Sequence, residues 1–145
     1  MEIRNLEDCF RFRLLREISP DREKSKKSLE LAKKRLNEAE ILLKLPGKIK
    51  IFNYVILESY MAMFHASRAL LYKDGIQEKS HFAISIYLKE KYLDKIPLPI
   101  LNFLNIHRIE RHEAMYGLEY EPGKEDALIA LKDAKTFIIE IEKNL

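Results

Sequence analysis

In two separate stretches of this chain, apolar residues recur at alternating spacings of three and four. One runs Leu29, Ala32, Leu36, Ala39, Leu43, and the other runs Ala127, Leu131, Ala134, Ile138, Ile141, Leu145. That spacing keeps side chains on one face of an α-helix, whereas a strand face needs a period of two. Charged residues fill the gaps, so each stretch is an amphipathic helix whose narrow stripe suits an antiparallel neighbour. Only four glycines and five prolines punctuate 145 residues, and they fall between such segments. The predicted fold class is therefore all-α, an up-and-down helical bundle of five to six helices.

Local signals place the boundaries. Ile3, Leu6, Phe10 and Leu14 share a face, predicting a short N-terminal helix over residues 1–18 ahead of a main bundle at 19–145, all within one domain. Ser19-Pro20-Asp21 offers an N-cap, a proline at the first helical position and an acid in the first turn, so a long helix is expected to start there and to stop at Pro46-Gly47. The segment from Phe52 to Lys73 is apolar or small nearly all round, which predicts a central helix, ended by Asp74-Gly75. Further helices are expected over Lys79–Tyr92, from Pro97 and Pro99 to Met115, and after a loop at Gly117–Gly123.

Composition narrows the function classes. With 47% hydrophobic and 34% charged residues the chain is neither disordered by composition nor a membrane protein, and its longest apolar runs fall far short of a bilayer span. The N-terminus mixes acids and bases without an apolar core, which predicts no secretory signal and a cytoplasmic location. Cys9 is the only cysteine, so no internal disulfide and no multi-cysteine metal site can form. A formal net charge of +3 is too slight to announce nucleic-acid binding, so any such site must be local.

Phosphate-binding glycine loops are absent, and the four histidines form no HExxH pattern. No metal and no cofactor are expected. Two constellations remain. On the central segment, Glu58, His65 and Arg68 share a face with Tyr54 and Tyr72; they read equally as an internal ion-pair network or as the lining of a wet cleft. Further on, Arg108, Arg111, His112 and Met115 stand at i, i+3, i+4 and i+7, so two guanidiniums and an imidazole share a face. Guanidinium forks suit phosphate oxygens and histidine can carry protons near neutral pH. The alternative is an exposed helix in which Glu110 and Glu113 neutralise the arginines.

Tyr60-Met61-Ala62-Met63-Phe64-His65-Ala66-Ser67-Arg68-Ala69-Leu70-Leu71, followed by Gly75 and Lys79-Ser80-His81, resembles the middle signature of prokaryotic HEPN proteins. Arg111-His112-Glu113-Ala114-Met115-Tyr116 resembles the second signature, and Cys9–Pro20 with the Leu29 to Ala39 stripe extends the resemblance over nearly the whole chain. The resemblance implies a helical bundle that forms a homodimer, a minimal nucleotidyltransferase as antitoxin partner, and a toxin-like role in binding or cleaving RNA at a dimeric cleft. It implies catalytic positions at Arg111, Tyr116 and His112, and RNA or nucleotide binding by Arg108, Arg111, His65 and Arg68. Active relatives carry arginine, four to six residues, then histidine. Here the residue after four intervening positions from Arg111 is Tyr116. Tyrosine, with a pKa near ~10, shuttles protons poorly at neutral pH. Metal-independent endoribonuclease activity therefore stays open beside a noncatalytic nucleotide-binding or protein-interaction module.

Overall fold

A computed structural model of the chain describes residues 2–45 and 51–145. Among them are six α-helices and one two-stranded sheet: α1 (Leu6–Arg11), β1 (Leu15–Glu17), α2 (Arg22–Lys44), α3 (Phe52–Asp74), β2 (Ile76–Glu78), α4 (His81–Tyr92), α5 (Leu98–Tyr116) and α6 (Lys124–Glu142). The expected helical bundle is present. The Pro46-Gly47 stop lies outside the described residues.

α3 is the axis of the bundle, packed by α2, α4, α5 and α6. Its fully buried residues include Tyr60, Met63, Leu70 and Leu71, together with the small Ser59, Ala62, Ala66 and Ala69. Small side chains let a neighbouring backbone come close. Ser25 and Ser28 of α2 donate to the carbonyls of Ala69 and His65 across that interface, each at 2.7 Å. The stripe on α6 is buried as its spacing predicts, from Ala127 through Leu131, Ala134 and Ile138 to Ile141. No helix of the described residues is long and apolar enough to cross a membrane.

The N-terminal segment departs from the expected helix over residues 1–18. α1 stops at Arg11, Arg13 turns into the left-handed region at φ 58°, and Leu14 N–H closes onto Cys9 O at 2.8 Å. The chain then becomes β1 and pairs antiparallel with β2, Leu15 opposite Glu78 and Glu17 opposite Ile76. A partner some sixty residues away overrides the local helical pattern, because a strand is stabilised by its cross-strand neighbours. The cap of α2 also moves. Asp21, not Ser19, accepts from the Lys24 N–H at 2.9 Å, and Ser19 is exposed.

This small ribbon aims the start of α4. Gly75 ends α3 at φ 79°, and a Cβ there would lie 2.6 Å from Ile18 O. The Gly75 carbonyl accepts from Ile18 N–H at 2.9 Å, and the Lys79 N–H donates to Leu14 O at 2.8 Å. Ser80 then caps α4, and His81 is its first residue.

Candidate functional site: an arginine and histidine cluster between α3, α4 and α5

Arg108 and Arg111 project from the second half of α5 toward α4 and α3. The Arg111 guanidinium carbon lies 5.4 Å from the centre of the Tyr60 ring, and that of Arg108 lies 5.5 Å from the centre of the Phe82 ring. Aromatic faces attract guanidinium while leaving its edge donors free for a ligand. Arg108 Nε donates to Asn105 Oδ1 at 2.9 Å, whereas Arg111 Nε is buried without a partner among the described residues. Among the described residues neither guanidinium joins an ion pair. The neutralisation offered by Glu110 does not occur, because its carboxylate accepts from His107 at 3.0 Å and from Tyr120 at 3.4 Å.

His81 completes the cluster. Its ring stacks on Phe64 with centres 4.2 Å apart and planes 8° from parallel, and its Nδ1 lies 2.6 Å from the Tyr60 hydroxyl. Burial lowers the His81 pKa, and the positive charges of Arg111, Arg108 and Arg68 lower it further. The imidazole is therefore neutral at neutral pH. Tyr60 is fully buried, and burial raises its pKa against the opposing pull of Arg111 and Arg108, so the phenol keeps its proton.

The other predicted site residues take different positions. His65 is buried with its Nδ1 unpartnered, and burial, aided by Arg68, Arg35 and His81, pushes its pKa down to about 4. Arg68 pairs with Glu78 Oε1 at 2.9 Å and hydrogen-bonds the Tyr72 hydroxyl. Glu58 faces Arg35 at 3.4 Å, while Tyr54 points outward. The central-helix constellation is thus divided between two ion pairs. His112 and Tyr116 lie one turn apart on the exposed side of α5, ring centres 5.1 Å apart, and Tyr116 is 67% exposed.

Beyond Arg111, toward the end of α5, a cavity of about 530 Å³ opens among Phe52, Tyr54, Met115, Leu118 and Tyr120. No three His, Cys, Asp or Glu side chains come together as a metal site among the described residues.

Sequence reasoning missed Tyr60, His81 and Phe82 as neighbours of the two arginines. The Ser80-His81 pair at a helix start is the one local signal; the meeting with α5 is tertiary. Comparison with known proteins finds no match among curated sequences. A family profile described as the HEPN domain matches residues 25–144, which is most of the chain. This protein belongs to the HEPN domain family.

Proposed function

We propose that this HEPN protein is the RNA-directed, toxin-like member of a pair with a minimal nucleotidyltransferase, and that it binds RNA phosphate at Arg108 and Arg111. The observation that carries the reading is two guanidiniums three residues apart on α5 with no carboxylate partner among the described residues. Buried or half-buried charge without a counter-ion is costly, and an incoming phosphate supplies it. His65 is buried and Arg68 is paired with Glu78, so in this reading both act on the site through its potential.

A second copy joins the site in this reading. Ile106, Ile109 and Tyr116 are each more than half exposed along α5, beside the arginines, and such an apolar strip favours association. The noncatalytic alternative draws on Tyr116, whose exposed phenol can receive a nucleotidyl group or dock the partner. Fluorescence anisotropy with a labelled single-stranded RNA, together with light scattering, tests both parts. Salt-sensitive binding by a dimer is expected. A monomer at tens of micromolar that ignores RNA would overturn the proposal.

A further inference from the structure

The Tyr60 hydroxyl is fully enclosed, and its one hydrogen-bond partner among the described residues is His81 Nδ1. A buried phenol must donate its proton to some acceptor, and only the imidazole nitrogen is in reach. Nδ1 therefore accepts, and a neutral ring then carries its own hydrogen on Nε2. Among the described residues that nitrogen has no hydrogen-bond partner, and it is not one of the buried unpartnered atoms. Phe64, stacked at 4.2 Å, fixes the plane of the ring.

We propose that His81 is the third donor of the anion site, presenting Nε2–H beside the guanidiniums of Arg108 and Arg111, and that the ligand is a dianionic terminal phosphate. Tyr60 is a positioning residue that sets the tautomer. The charge balance selects the ligand class. Arg68 is paired with Glu78, and His81 contributes a donor without a charge, while the guanidiniums of Arg108 and Arg111 have no ion-pair partner among the described residues. Two positive charges match a phosphate monoester, whereas an internal diester brings only one negative charge per phosphate. The site also sits at the first residue of the 12-residue α4, where the helix dipole is positive.

This inference rests on the reading of Arg108 and Arg111 as phosphate ligands, and the test separates the two. Long-range ¹H–¹⁵N correlation spectra of the histidine side chains are recorded near neutral pH during titration with inorganic phosphate, and in parallel with dimethyl phosphate. His81 is expected in the Nε2–H form, with resonances that shift saturably with inorganic phosphate and little with the diester. His81→Asn should lower phosphate affinity about tenfold, the loss of one hydrogen bond to a charged group. His81→Gln, whose amide nitrogen reaches the Nε2 position, should retain most of it, and Tyr60→Phe should weaken binding and let both tautomers appear. Adenosine monophosphate and a 5′-phosphorylated tetraribonucleotide then distinguish a free nucleotide from an RNA end, the tighter binder being the source. An Nδ1–H tautomer, equal shifts with the diester, or unchanged affinity in both His81 variants overturns the proposal. If those results accompany RNA binding that still depends on Arg108 and Arg111, the assignment of His81 fails while the RNA reading stands.

Discussion

His107 Nε2 lies 2.7 Å from Asp133 Oδ2, and this hydrogen bond fastens α5 to α6 through an imidazole that is only 2% exposed. Its Nδ1 lies 3.0 Å from Glu110, so the carboxylate next to Arg111 in the chain is engaged by His107 three residues before it. The structural histidine thus helps leave the arginine face unpaired.

That arrangement has a pH signature. Burial alone would lower the His107 pKa, but hydrogen bonds and charge from Glu110 and Asp133 outweigh it and the net shift is upward. A group whose folded pKa is raised contributes stability that is fully present below its unfolded value near ~6.5 and is lost as pH rises through the folded value. Asp133→Asn should destabilise the protein by about 2 kcal/mol under mildly acidic conditions, the scale of a hydrogen bond to a charged group, and by less in alkali. Thermal melts across pH check it. A difference between wild type and variant that stays constant from acid to alkali would show that His107 is neutral throughout.

Gly75 is the residue on which the β1–β2 ribbon turns. Its φ of 79° and the 2.6 Å approach of Ile18 O leave no room for a side chain. Gly75→Ala should cost roughly 1–3 kcal/mol through strain in the left-handed region together with the clash. Urea denaturation measures this directly. Because the ribbon aims α4, the variant should also broaden the His81 resonances, and an unperturbed His81 would show that α4 is held by other neighbours.

Replacing Arg108 or Arg111 with alanine should weaken RNA binding across sequences. The slope of log affinity against log salt should fall by about 0.7 for each phosphate no longer neutralised, the single-strand value. Anisotropy titrations at several potassium chloride concentrations supply the slopes. Two variants with wild-type affinity and slope would move the site away from α5.

In the proposed reading Tyr116 takes the place of a histidine spaced from Arg111, and its ring is 67% exposed. Substitutions there should shift stability by less than about 0.5 kcal/mol, the range for exposed positions. Tyr116→Phe should abolish any nucleotidyl label that a partner enzyme places on the phenol, while Tyr116→His should raise cleavage of a mixed RNA pool in the presence of a chelator. Strong wild-type cleavage that survives Tyr116→Phe but disappears in His112→Ala would assign the chemistry to His112 instead.

The helices were legible in the sequence because their determinants are local. Residues three and four apart touch on one helix face, so the stripes of α2 and α6, the all-round apolarity of α3, and Gly75 as a terminator could be read without knowing any neighbour. The pairing of Arg108 and Arg111 on one face was legible for the same reason. Which groups meet that face was not. Local periodicity favours a helix through Leu14, yet pairing with Ile76–Glu78 makes Leu15–Glu17 a strand. Glu110 stands beside two arginines in the chain, yet its carboxylate bonds His107, whose other ring nitrogen is held by Asp133 from α6. Tyr60 and His81 are separated by 21 residues and meet at 2.6 Å only because the ribbon folds the start of α4 back beside α3. A polar side chain takes the partner that packing brings within reach, and in a bundle that partner comes from another helix.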